Sequence, residues 1–131
     1  MDGITLVRLD ETTAALLADT DVFDHPVRPD QLAAFMADPL HEMVLAVDAG
    51  AVVGMASGAV LLHPDKLPGL FINEVGVNDT HRRRGIGTAL VARRKCFARA
   101  RGCAGIRVAT KGDNVAARAL CRRAGARRAA S

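Results

Sequence analysis

Ile72-Asn73-Glu74-Val75-Gly76-Val77, followed by His81-Arg82-Arg83-Arg84-Gly85-Ile86-Gly87-Thr88-Ala89-Leu90, reads as a strand that runs through an arginine and glycine turn into a helix. Glycines at 85 and 87 let the backbone approach a ligand closely. A helix beginning there aims unpaired N–H groups and the positive end of its dipole at an anion. Arg82, Arg83 and Arg84 add formal charge at the same place, so the turn is a candidate phosphate site. Two glycine-rich phosphate motifs do not fit it. The Walker pattern Gly-x-x-x-x-Gly-Lys-Ser/Thr is absent; the dinucleotide pattern needs a third glycine where Leu90 stands and an acidic residue about 20 positions on, which is missing.

Outward from this stretch, strands and helices alternate. Ile4 to Leu9 alternates apolar with polar and predicts a first strand, and Asp10 or Thr12 is placed to cap a helix over Ala14 to Leu17. After a loop with Phe23, Pro26 and Pro29, Asp30 is placed to cap a second helix, Leu32 to Met36, which stops near Asp38-Pro39 because proline disfavours helix in the residue before it. Met43 to Val47, a turn at Asp48-Ala49-Gly50, and Ala51 to Leu62 predict a strand hairpin; Gly54 and Gly58 mark a bulge or a close backbone approach. A loop from His63 to Gly69 leads to the strand Leu70 to Val77. A helix from about Arg84 to Arg101 sets Leu90, Val91, Arg94, Phe97 and Ala98 in amphipathic order, with Gly102 as its stop. A strand from Gly105 to Thr110 and a short helix from Asn114 to Ala124 complete the order β-α-α-β-β-β-α-β-α, an α/β fold with a mixed sheet flanked by helices in one domain over 1–131.

Composition narrows the function classes. Aromatic residues are 3% of the chain and there is no Trp or Tyr, against a stacking platform for single-stranded nucleic acid. No helix-turn-helix or aromatic repeat accompanies the arginines, so nucleic acid is not the expected partner. Cys96, Cys103 and Cys121 are odd in number and lack the spacing of a zinc or redox pair, which suggests reduced thiols and a cytoplasmic location. His25, His41, His63 and His81 are isolated, so no metal site is expected. No signal peptide is visible at the N-terminus, and the longest apolar stretch, Ala49 to Leu62, is too short and too broken to span a bilayer. The net charge of +4 hides a division: −9 through Asp65 and +13 from Lys66 onward. Either two solvated faces differ, or an anionic ligand sits on the C-terminal half while a cationic one is drawn to the N-terminal half.

Arg82-Arg83-Arg84-Gly85-Ile86-Gly87 matches the Arg/Gln-x-x-Gly-x-Gly/Ala motif of the GNAT superfamily of acyl-CoA-dependent N-acyltransferases, and the element order resembles that fold over nearly the whole chain. Within the superfamily, Val52-Val53-Gly54 through Leu62, the Pro64 to Pro68 loop, Ile72 to Val77 and Asp21-Val22-Phe23-Asp24 resemble the aminoglycoside 3-N-acetyltransferases. The resemblance implies acetyl-CoA in a cleft where the strand at 72–77 splays from the strand at 105–110. Backbone amides from Arg82 through Gly85, Ile86, Gly87 and Thr88 would cradle the pyrophosphate, and Val75, Gly76 and Val77 would pair with the pantetheine amides.

For the chemistry, the resemblance puts Glu74 near the acceptor amine as general base, directly or through water. Its plain alternative is a surface carboxylate paired with an arginine. An amide N–H near Val75 or Val77 would stabilise the oxyanion. Asp21 and Asp24, with Asp30 and Asp38, lie in the region where such enzymes hold acceptors. The second family motif, Asn-x-x-Ala-x-x-Leu-Tyr-x-x-x-Gly-Phe, is met at Asn114, Ala117 and Leu120, but Cys121 replaces the tyrosine that commonly protonates the thiolate. Cys121 acts as the acid, water replaces it, or the thiol is simply packed. The fold normally continues into two more strands, for which the six residues from Ala126 are too few; an open sheet edge would favour a homodimer. The expected activity is acetylation of a polycationic amine, most specifically the 3-amino group of an aminoglycoside. The alternatives are another amine, such as a polyamine or a protein N-terminus, and a catalytically weakened acyl-CoA-binding sensor.

Overall fold

The computed structural model describes residues 3–108 together with 127 and 128. Ile4–Arg8 (β1), His41–Asp48 (β2), Ala51–Leu61 (β3), Gly69–Val77 (β4), Gly105–Val108 (β5) and Arg127–Arg128 (β6) lie side by side in that order in one sheet. β1 to β4 pair antiparallel in turn, whereas β5 joins β4, and β6 joins β5, in parallel. Among the described residues two α-helices flank the sheet, α1 over Pro29–Ala37 and α2 over Ile86–Ala100, and the helix expected from Asn114 to Ala124 lies outside them. The mixed α/β architecture expected from the sequence is therefore present.

Element ends depart from expectation for local reasons. Ala14–Leu17 is a 3-10 turn and not an α-helix. The Asp10 carboxylate accepts hydrogen bonds from the Thr12 hydroxyl and from the N–H groups of Thr12 and Thr13, a side-chain-to-backbone turn that competes with helix initiation. Those bonds, the Thr12 hydroxyl first, hold the Asp10 carboxyl below its ordinary range. Helix α1 starts at Pro29, whose fixed φ suits the first turn and whose missing N–H would have been unpaired there. Arg28 therefore occupies the cap position, and Asp30 sits inside the first turn, where its charge faces the positive dipole end. Helix α2 starts two residues later than expected, because Arg83 (φ +63°) and Gly85 (φ +78°) are left-handed. It stops where anticipated: Gly102 (φ +79°) closes a Schellman turn in which Cys103 N–H reaches the Ala98 carbonyl at 2.9 Å.

Two bulges decide which side chains share a face. Ala46 pairs with Gly54 and Val47 with Val52, so Val53 is an extra residue; Ser57 pairs with Glu74 and Gly58 with Ile72, so Asn73 is another. Across each bulge, residues three apart come to the same side of the sheet. Val52 and Met55 thus join Met43, Leu45 and Leu17 on the face covered by Leu32, Phe35 and Met36 of α1. Val53 and Ala56 join Val44 and Ala46 on the other face, under Ile86 and Leu90 of α2. Ile72 and Val75 also both face α2. The close approaches anticipated at two glycines lie on this side: a Cβ on Gly54 would meet Ile86 and Leu90 side chains at 3.2 Å, and one on Gly58 would sit 2.5 Å from the Phe71 carbonyl oxygen.

An ion pair is buried in the same interface. Arg94 is 0% exposed and Glu42 5%. Arg94 Nη1 donates to Glu42 Oε2 at 2.7 Å, Arg101 donates to Oε1, and Arg8 Nη2 lies 3.6 Å from Oε1. Burial pushes the Glu42 carboxyl up, but the hydrogen bonds and charges of Arg101 and Arg94 outweigh it and hold the group below the ordinary glutamate range. Glu42 of the acidic half thus meets Arg94 and Arg101 of the basic half.

Candidate active site

Among the described residues, β4 pairs with β5 from Gly69 to Ile72. Beyond the Asn73 bulge, among the described residues, the strand is paired on its β3 side alone, and the other backbone edge of Asn73–Val77 has no strand partner among them. Such an edge offers N–H and C=O groups to an extended, amide-bearing ligand. Asn78 N–H then bonds the Val53 carbonyl, and a 3-10 turn, Asp79–His81, leads into the arginine turn.

Gly85 is the N-cap of α2 and provides no side-chain cap, while its carbonyl accepts the first helical bond from Ala89 at 3.0 Å. The N–H groups of Ile86, Gly87 and Thr88 therefore have no intrahelical acceptor, and the helix dipole adds to their pull on an anion. Among the described residues nothing stands within 4 Å of a Cβ added to Gly85, so its left-handed φ is what calls for glycine. The three arginines differ. Arg82 is engaged within the turn, with Nη2 3.2 Å from Asp79 Oδ1 and Nε donating to the Val77 carbonyl. Arg83 and Arg84 are exposed and have no ion-pair partner among the described residues.

Val75 and Val77 face α2, so Glu74 and Gly76, alternating with them, face the α1 side. Glu74 is exposed there. A Cβ on Gly76 would lie 2.8 Å from the Val22 carbonyl oxygen, so the segment around Val22 rests directly on β4. Thr20 fastens that segment, its hydroxyl donating to the Val52 carbonyl at 3.2 Å and accepting from Val22 N–H at 3.3 Å. Asp21 and Asp24, both exposed, flank the strip that covers Gly76 on the side to which Glu74 points. Asp30 and Asp38 are engaged locally, Asp30 with Arg28 at 3.5 Å and Asp38 with Leu40 N–H at 2.8 Å. Asn114 and Cys121 lie outside the described residues.

Sequence reasoning placed the turn and Glu74 but missed the polar pairs around them. Arg94 stood among the apolar positions of its helix, the one visible sign of a buried charge; Glu42 gave none. His81 was read as isolated, yet its Nε2 lies 2.8 Å from Asp48 Oδ2. Among the described residues no group of three or more His, Cys, Asp or Glu side chains is placed to hold a metal ion, and no helix is long and apolar enough to cross a membrane.

Among the described residues, β4 thus carries an unpaired edge beside a bulge and leads through a glycine turn to a helix N-terminus without a side-chain cap. The sequence matches the Acetyltransferase (GNAT) family over residues 9–126, and the chain belongs to that family. Among solved structures, the aminoglycoside acetyltransferase meta-AAC0020 from an uncultured soil metagenomic sample, in complex with sisomicin, superposes with a TM-score of 0.81 at 17% identity, covering 99% of this chain and 93% of that one. Aminoglycoside N-acetyltransferase AAC(6′)-Iy in complex with CoA gives 0.79 at 16% identity, covering 98% and 90%. The 6′-N-acetyltransferase AAC(6′)-IG from Acinetobacter haemolyticus gives 0.79 at 16%, covering 97% and 93%. At these identities the likeness establishes the fold. No curated protein matches the chain by sequence.

Proposed function

We propose that the chain is an acetyl-CoA-dependent N-acetyltransferase acting on an amine of an aminoglycoside-type polycation. The observation that carries this reading is the geometry of β4. Its edge and the turn after it present N–H groups that would suit an anionic, amide-bearing cofactor, while Glu74 points to the α1 face, toward a strip flanked by Asp21 and Asp24. The N–H groups of Ile86, Gly87 and Thr88, with Arg83 and Arg84, would hold the diphosphate, and the Val75–Val77 edge would hold the pantetheine amides. Acetyl-CoA, when bound, supplies an acyl group activated as a thioester.

The residues of the chain supply the rest. Asp21 and Asp24 attract a cationic acceptor and Glu74, in contact with solvent, takes the proton of its ammonium group directly or through a water. The N–H of Val75 or Val77 is the candidate donor to the negative charge that develops on the acyl oxygen. Cys121 is the candidate proton source for the thiolate, with water as the other source. The sequence patches suggest the 3-amino group as the position modified; neighbours named for 6′-N-acetylation favour the 6′ position. The position of the acetyl group on the product distinguishes the two.

Incubation with acetyl-CoA and a panel of gentamicin-type aminoglycosides, a polyamine and a peptide N-terminus, followed by thiol release, tests the reading. Release with the aminoglycosides and an acetylated product support it. Release only with the polyamine or peptide replaces the acceptor. Binding of acetyl-CoA without release for any amine supports the second reading, an acyl-CoA sensor, which the replacement of tyrosine by Cys121 favours. A homodimer is also proposed, and a monomeric mass by light scattering at working concentration contradicts it.

A further inference from the structure

Strand β2 carries a carboxylate near each end, and both are paired with the segment that follows β4. Glu42 holds Arg94 and Arg101 in the second half of α2 and just beyond it. Asp48, the last residue of the strand, holds His81, which immediately precedes the arginine turn. A carboxylate only accepts, so His81 Nε2 donates to Asp48 Oδ2 across 2.8 Å. The other ring nitrogen lies 2.8 Å from both Thr80 Oγ1 and Asn78 Oδ1. The His81 side chain is 16% exposed. The imidazole is thus wedged between the end of the β2–β3 hairpin and the 3-10 turn. Among the described residues, every other side-chain bond of Asp79 to Arg82 is local, Arg82 reaching only Asp79 and Val77.

Resting on the functional reading above, we infer that His81 and Asp48 are positioning residues for the phosphate cradle. Their hydrogen bond fixes the turn on the sheet, and through it sets where the side chains of Arg83 and Arg84 stand relative to the N–H groups of Ile86, Gly87 and Thr88, which the burial of Ile86 and Leu90 holds against the sheet. Neither residue touches the ligand. Without the tie, the bonds left between the turn and the sheet among the described residues are Asn78 N–H to the Val53 carbonyl and Arg82 Nε to the Val77 carbonyl, and Arg83 and Arg84 lose their fixed place beside the helix N-terminus.

The test measures CoA binding calorimetrically to the full chain, with pantetheine, which lacks the diphosphate, as a second probe. His81→Ala and Asp48→Ala are each expected to raise the Kd for CoA about tenfold, the effect of losing roughly one charge-assisted hydrogen bond. The double variant should be no worse than either single one. Asp48→Asn, which keeps an oxygen acceptor, should recover most of the affinity, and it also serves if the alanine variants fold poorly. Affinity for pantetheine should stay unchanged throughout. Loss of thermal stability with unchanged CoA affinity, or an equal fall in CoA and pantetheine affinity, overturns the inference and leaves a plain structural staple. If wild-type protein fails to bind CoA, the functional reading itself falls and this inference with it; wild-type binding that His81→Ala leaves intact overturns the inference alone.

Discussion

Arg94 of α2 donates to Glu42 of β2 at 2.7 Å inside the helix–sheet interface, two turns along the helix from the N–H groups assigned to the phosphate site. Arg94 Nε and Nη2 have no partner among the described residues, so this arginine depends on Glu42 alone. Glu42, by contrast, retains Arg101 and Arg8 if Arg94 is lost. Removing the carboxylate should therefore harm the fold more than removing the guanidinium. Urea denaturation is expected to show a loss of about 3–5 kcal/mol for Glu42→Met. Arg94→Met should lose less, and the double variant should recover most of the Glu42→Met loss. A double variant as unstable as Glu42→Met contradicts this.

The same pair sets a pH dependence. Burial raises the Glu42 carboxyl, and the bonds from Arg101 and Arg94 lower it further than burial raises it, so the folded value lies below the unfolded one. A depressed acid contributes stability that is fully present above its unfolded pKa, about 4.3, and is lost as pH falls through the folded value. Glu42→Gln should flatten the fall of stability on acidification below that point. The slope should not vanish, because Asp10 is depressed as well. An unchanged slope in Glu42→Gln excludes the assignment.

Substitutions at Gly58 and Gly76 should separate an effect on folding from an effect on the proposed acceptor site. A methyl group on Gly58 would sit 2.5 Å from a backbone oxygen, so Gly58→Ala should destabilise by about 1–3 kcal/mol through overpacking. Gly76→Ala would instead push against the Val22 carbonyl and displace the strip that carries Asp21 and Asp24. Steady-state kinetics should show a raised KM for the aminoglycoside with little change for acetyl-CoA. A change confined to acetyl-CoA counts against the two-faced use of β4.

Glu74→Gln keeps the size of the side chain and removes its basicity. Turnover should fall by roughly 10²–10⁴, the usual range for a general base, with CoA affinity unaltered. Unchanged turnover would remove Glu74 from the chemistry.

Much of this was legible where the constraint is local. Gly85 and Gly102 announce left-handed backbone, and Gly54 and Gly58 announce crowding, because glycine answers to its immediate surroundings. The Asn73 bulge was also written in the spacing: Leu70 and Ile72 alternate, then Val75 and Val77 resume one position out of phase. That phase shift is what turns Glu74 toward the α1 face of the sheet. The polar pairs were not legible. Arg94 and Glu42 are separated by 52 residues, and His81 and Asp48 by 33, so only the assembled sheet brings them together. Ala14–Leu17 failed as a helix because Asp10, read as a cap, forms a tight turn of its own.

The most direct test of the central claim is acetyl transfer itself: the chain, acetyl-CoA and a gentamicin-type aminoglycoside, followed by thiol release and by the mass of the antibiotic. The prediction is thiol release in step with the gain of one acetyl group on an amine, abolished by omission of either substrate and strongly reduced in Glu74→Gln. An antibiotic of unchanged mass, with acetyl-CoA bound and intact, would contradict the assignment.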